Sequence, residues 1–310
     1  MTRDRAALVE AARVSIARGS KSFALASKLF APQTRERAWL LYAWCRKCDD
    51  IADGQDHGGT MHAVDDGPAR IAHIRTMTDA ALRGEVTGDP AFDGLGLVAA
   101  ETGIPHRFAH DLVEGFALDA ADWRPRTEDD LLRYCYHVAG AVGCMMAVVM
   151  GASPDDEDTL DRACDLGLAF QLANIARDIS EDDAGGRCYL PVDWLVEADI
   201  PPGEHMRPHY RSRLADMGWW LASMAGEYEA SARVGAAKLP FRSRWAVLAA
   251  AGIYGDIARE VAARGQAAWD TRVITTRSAK LGWVAKAMGQ ALRPAPRIER
   301  DGLWTRPRLS

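Results

Sequence analysis

Nowhere in these 310 residues do apolar and polar side chains alternate for long enough to make a half-buried strand. That absence removes the sheet-based classes and leaves an all-α chain. The Gly-x-Gly-x-x-Gly turn after a strand, the mark of a dinucleotide fold, is missing too. Positive charge is in deficit: 38 lysines and arginines stand against 43 aspartates and glutamates, giving a net charge of −5 with both signs interspersed. Nucleic acid is therefore excluded as the main partner. The first twenty residues hold Arg3, Asp4, Arg5, Glu10 and Arg13 and lack the apolar core of a secretory leader, so a cytoplasmic protein is expected.

Metal and redox motifs are incomplete as well. Cys45-Arg-Lys-Cys48 has no second CxxC for zinc and no strand before it for a redox site, so the six cysteines read as free thiols. His106/His110 and His205/His209 each repeat at four residues, with no third ligand nearby in sequence. Formal charge is absent from Tyr134 to Pro154, a run long enough to span a bilayer. It contains His137 and three glycines and is flanked by Arg133 and Asp155, which favours a buried central helix. Gly140, Ala141, Gly143 and Ala147 leave space beside that helix, either for a neighbouring helix or for an apolar ligand.

Against these absences stand two acidic stretches. On a helix of ~100° per residue, Gln171, Asn174, Asp178 and Asp182 fall within about 80° of one another. Leu172, Ile175 and Ile179 form an adjacent stripe suited to burial, and Gly185-Gly186 with Pro191 ends the helix. In the second stretch Tyr42, Arg46, Asp49 and Asp53 share a narrow stripe, again just before a glycine, Gly54. A carboxylate pair at i, i+4 is also the pattern of a solvated face. Two such pairs facing each other across a cleft would repel, and divalent cations remove that penalty. Mg²⁺ takes few carboxylates and completes its shell with water and phosphate oxygens, so the pattern suggests a metal-held diphosphate.

Other elements follow from periodicity and punctuation. Helices are expected at 4–18, from Pro32 to Asp53, and at 69–84, 90–101, 105–119, 155–183, 210–237, 240–264 and 278–292. Ser20 either caps a helix or presents N–H groups to a phosphate. Residues 54–68 read as a mobile loop beside the first acid pair. Residues 1–292 are read as one helical domain, and 293–310 as a basic, proline-bearing tail that is poorly ordered. Its Arg293, Arg297, Arg300, Arg306 and Arg308 suit weak attachment to an anionic bilayer.

Tyr42-Ala-Trp-Cys-Arg46, Asp49-Asp50-x-x-Asp53, Tyr134-Cys-Tyr-His-Val-Ala-Gly140 and Gln171-x-x-Asn-x-x-Arg-Asp178 resemble the squalene/phytoene synthase family. Gly185-Gly-Arg-Cys-Tyr-Leu-Pro191 and Gln266-Ala-Ala-Trp-Asp270 resemble its bacterial phytoene-forming branch, and the likeness runs from about Gly19 to Leu292. The resemblance implies an isoprenoid synthase-type helical bundle around a central cavity. It implies a head-to-head prenyltransferase that couples two geranylgeranyl diphosphates for carotenoid synthesis. Coupling of farnesyl diphosphate to squalene or dehydrosqualene is the nearer alternative, and a non-catalytic assembly factor the farther one. By resemblance, Asp49, Asp53, Asp178 and Asp182 hold Mg²⁺ (or Mn²⁺ in its place) with help from Asn174. Ser20, Ser22, Tyr42, Arg46, Arg177, Tyr254 and Arg272 contact diphosphate or position the donor. Phe23, Tyr134, Val138 and Gln171 line the chamber. No NADPH is expected. Peripheral membrane association and contact with downstream carotenoid enzymes are expected. Tyr134, Val138, Ala141 and Met145 share one α-helical stripe, which puts Ala141 on the chamber wall.

Overall fold

A computed structural model of the chain describes residues 4–19, 21–54 and 66–308. Ser20 and most of the 54–68 loop lie outside the described residues, as does the side chain of Ser22. Every regular element among the described residues is helical. Helices α1 (Arg5–Gly19), α2 (Lys21–Ala26), α3 (Pro32–Asp53), α4 (Gly67–Leu82), α5 (Pro90–Thr102) and α6 (His106–Ala120) make the first half. Next comes α7 (Glu128–Cys135), a π turn (Tyr136–Gly140) and α8 (Ala141–Val149), which run as one rod. The second half holds α9 (Glu157–Ala184), the short α10 (Val192–Glu197), α11 (Arg211–Gly235), α12 (Phe241–Arg264) and α13 (Arg277–Ala291).

The boundaries follow local chemistry. Pro32 opens α3, where its missing N–H costs nothing, and Gly54 closes it in the left-handed region at φ 65°, donating to the Asp50 carbonyl. Thr127 and Asp130 form a reciprocal capping box at the head of α7. Asp156 caps α9 by accepting from the Thr159 amide. At the other end, the chain reverses through Gly186 at φ 75°, and the Arg187 amide returns to the Asp182 carbonyl.

Helix α9 is the hub. It packs against α8 and the π turn on one side and against α11 and α12 on the other. The contact with the rod is made by glycines. A Cβ on Gly143 would stand 2.3 Å from the Ala163 carbonyl oxygen, and one on Gly167 would stand 2.4 Å from that of Ala139. A Cβ on Gly140 would meet Cys164 Sγ at 2.8 Å. The space that the small residues leave is thus filled by α9, not by a ligand. The rod itself, although apolar enough to cross a bilayer, is mostly buried in the bundle.

The π turn overturns one expectation. Such a turn holds one residue more than an α turn, so positions on its two sides are offset by about 100° from a continuous α register. Tyr134 and Ala141 therefore do not share a stripe. Ala141 and Met145 are fully buried and absent from the cavity lining described below.

The tail also departs from expectation. Rather than trailing away, residues 300–308 dock on the N-terminal half of α9. Arg300 pairs through Nε and Nη2 with both oxygens of Asp165, each at 2.7 Å. Arg306 is buried against Glu157 and Asp161 and over the Phe108 ring. Arg308 also pairs with Asp161. Trp304 packs on Tyr136 of the π turn and donates to Asp129 at 2.9 Å. Three of the five tail arginines are thus committed to carboxylates of α9, because buried acids need cations and the tail supplies them.

Candidate functional site

The acids stand at two helix ends. Asp49 and Asp53 occupy the last turns of α3, and Asp178 and Asp182 the last turns of α9. Both ends carry the partial negative charge of unpaired carbonyls, so carboxylates are disfavoured there unless a cation offsets them. All four aspartates line one cavity of about 420 Å³, together with Tyr134, Gln171 and Asn174. The walls are α3, α6, α7 and α9. Gln171, Asn174, Asp178 and Asp182 of α9 thus face the same space as Asp49 and Asp53 of α3.

The electrostatics record a buried, only partly compensated cluster. Burial, reinforced by Asp53, Asp50 and Asp119 against the pull of Arg46, lifts the Asp49 carboxyl to about 6. Burial and then Asp178 lift Asp182 to about 7, with Arg187 opposing. Shifts of this size mean that the second negative charge on each wall is hard to hold without a positive partner. Among the described residues no three His, Cys, Asp or Glu side chains group closely enough to hold one ion by themselves. The donors are hard oxygens in two facing pairs, which fits divalent cations that draw the rest of their shell from water and a phosphorylated ligand.

Arginines ring the acids. Arg46 pairs with Asp49 and Asp50, each at 2.8 Å. Arg187 reaches Asp53 at 3.4 Å and so bridges from the turn after α9 to α3. Arg177 reaches Asp178 with Nε at 2.7 Å, and Arg272 reaches the same carboxylate at 2.8 Å. A multiply charged anion entering the cavity would find these guanidiniums already held at its rim.

The remaining expected residues fall in different places. Tyr42 packs against Phe23 with ring centroids 5.6 Å apart and the planes tilted by 56°, and its hydroxyl would stand 2.4 Å from a Cβ on Gly19. Tyr254 stacks on Phe170 of α9 at 4.1 Å. Neither Phe23, Tyr42, Arg46, Arg177, Tyr254 nor Arg272 lines the cavity itself. Val138 stands beside α6, where its Cγ1 would be 2.8 Å from a Cβ on Gly115, and the cavity lined by the acids does not include it.

Sequence reasoning missed Asp119 and Tyr189. The Tyr134 and Tyr189 hydroxyls both donate to Asp119, which also lines the cavity, and burial raises its carboxyl above the usual range. Trp123, Tyr134 and Tyr189 form a stack with centroid spacings of 5.8 and 4.9 Å. Asp119 closes α6 three residues before Asp122, which lines the same cavity, but at the end of a helix that spacing reads as an ordinary solvated pair. Tyr189 lay inside a noted motif, but only the fold carries its ring to Tyr134.

Comparison with known proteins agrees with this geometry. The family model for squalene/phytoene synthases matches residues 16–280. A phytoene synthase of Pseudescherichia vulneris is 46% identical over 309 residues, covering 97% of this chain and 98% of that one. A 15-cis-phytoene synthase of a Paracoccus strain is 44% identical with the same coverage. In fold, the chain is similar to a dehydrosqualene synthase crystal structure with a TM-score of 0.81 at 24% identity, over 93% of this chain and 97% of that one. A squalene synthase from Alicyclobacillus acidocaldarius follows at 0.74 and 22% identity, over 86% and 97%. With its acids, arginines and fold in these positions, the chain belongs to the squalene/phytoene synthase family.

Proposed function

We infer that the chain is a phytoene synthase, a prenyltransferase that couples two geranylgeranyl diphosphates head to head. The observation that carries the reading is the pair of facing aspartate walls in one cavity, in a chain 44–46% identical to bacterial phytoene synthases along nearly its whole length. The squalene and dehydrosqualene synthases are similar at 22–24% identity, which speaks for the fold alone.

The reaction needs developing negative charge held and positive carbon kept dry. Asp49, Asp53, Asp178 and Asp182, with Asn174, would hold Mg²⁺, and the ion when bound neutralises the departing diphosphate. Arg187, Arg177, Arg46 and Arg272 stand ready to take up diphosphate oxygens. The first diphosphate leaves, carbon bonds to carbon, and loss of a proton closes a cyclopropyl carbinyl diphosphate. The second diphosphate then leaves, the ring rearranges, and a second proton is lost. Two diphosphates and two protons balance one C40 hydrocarbon, and no reductant enters. Tyr134 is covered by Trp123 and Tyr189, so Tyr189 at the end of that stack is the ring that would offer a face to positive carbon within the cavity.

The insoluble product leads us to place the enzyme in the cytoplasm at a membrane surface, where downstream carotenoid enzymes receive phytoene. The test is direct. Purified protein with labelled geranylgeranyl diphosphate and Mg²⁺ should yield phytoene, and added NADPH should not change the product. A C30 hydrocarbon from farnesyl diphosphate, with no C40 product from the longer substrate, would overturn the assignment.

A further inference from the structure

Helix α13 carries two apolar stripes and uses only one. Ala287 and Ala291 are buried against α12, and Trp283 locks the pair together. Its indole donates to Asp256, and a Cβ on Gly252 would fall inside its ring system. Arg233 also ties α11 to Gln290 of α13 at 3.1 Å. The helix is therefore firmly seated.

Its outer face is apolar too. Leu281, Ala285, Met288 and Leu292 follow one another at four, three and four residues and fall within about 60° of arc. All are exposed, Leu281 by 67% and Leu292 by 72%, and Ile274 just before the helix is 72% exposed. Isolated exposed apolar residues need no explanation, but a continuous stripe does.

Charge identifies the occupant. From Val273 to Ile298 there is no aspartate or glutamate, while Arg277, Lys280, Lys286, Arg293 and Arg297 are present. The whole chain is at −5, so this edge is strongly set apart. A second copy docking through the same stripe would bring two such cationic edges together under two-fold symmetry, at an electrostatic cost. An anionic lipid surface carries no such penalty, and a basic helix with an apolar stripe is the form that lies in a bilayer interface.

We propose that α13 is the membrane-docking element of this protein, with Leu281, Met288 and Leu292 entering the acyl boundary of an anionic bilayer and the flanking cations meeting its headgroups. The assignment rests on the membrane reading above but not on the activity. It also transfers that role from the C-terminal arginines, three of which are spent on Asp165, Glu157 and Asp161.

The test uses full-length protein and sedimentation with vesicles of phosphatidylcholine, with and without phosphatidylglycerol. Wild type should bind the anionic vesicles, release with rising salt, and ignore the neutral ones. Leu281→Asp combined with Leu292→Asp should weaken binding by about tenfold or more. Both positions are solvent-facing, so the melting temperature should be unchanged. Equal binding by variant and wild type, or no binding by wild type, overturns the proposal. So does a variant that loses only self-association in sedimentation velocity. Salt-sensitive vesicle binding by a preparation that forms no hydrocarbon would support the docking surface while removing the activity assignment.

Discussion

The Tyr134 hydroxyl reaches both carboxylate oxygens of Asp119, at 3.0 and 3.1 Å, and Tyr189 reaches the first of them at 3.0 Å. One buried acid thus sets the rotation of two stacked phenols. Ring faces stabilise a cation only when they are aimed at it. Asp119→Asn keeps the shape but offers its amide N–H groups where acceptors are needed. Turnover should fall about 10- to 100-fold with KM for geranylgeranyl diphosphate little changed. A rise in KM at constant kcat would show that Asp119 serves binding instead.

Asp49→Asn and Asp178→Asn each remove one charge from opposite walls. Turnover should drop at least about 100-fold in either variant, because cluster members act as a unit. Far-ultraviolet circular dichroism should stay helical in both. Near-normal rates at saturating Mg²⁺ would remove these carboxylates from the chemistry.

The raised carboxyls of Asp49 and Asp182 give a pH signature. Their folded pKa values, about 6 and about 7, lie above the unfolded value near 4. Between those limits the folded state binds more protons than the unfolded one, so these groups make stability fall as pH rises from about 4 to about 7. Deprotonation also creates the metal ligands. The gain in melting temperature from Mg²⁺ should therefore be larger near pH 7.5 than near pH 5.5. An equal gain at both, measured by calorimetry, would place the binding ion elsewhere.

Arg306 is buried between Glu157 and Asp161. Arg306→Met leaves Asp161 short of one cation and should cost about 3–5 kcal/mol, or roughly 5–8 °C in melting temperature. Vesicle binding should be unaffected. A variant as stable as wild type would show the docked tail to be dispensable.

Most helices could be read from the sequence because their signals are local: Pro32 and Gly54 bound α3, and Gly185-Gly186 ends α9 within a residue of expectation. The acid pairs were legible for the same reason, since i, i+4 spacing on a helix is a local fact. Asp119 and Tyr189 were not, because their relation spans 70 residues and exists only in the fold. The stripe drawn from Tyr134 to Ala141 was misread because one extra residue in the π turn changes the register, and composition gives no warning of it. The tail misled for a related reason. Proline and arginine describe a free end until distant carboxylates are known to be waiting for it.

Gly143 and Gly167 bring the backbones of the central rod and α9 within direct reach of each other. At those two glycines there is no side chain left to shorten. A lineage under selection for a longer or bulkier substrate cannot gain room by trimming that seam, and any enlargement there separates two helices at once. Diversification is thereby steered to the walls that α3 and α6 supply, where Ala52 and Phe116 border the cavity and can change size singly. The glycine seam acts as an evolutionary fixed point, and those two positions are where relatives with different appetites should be expected to differ.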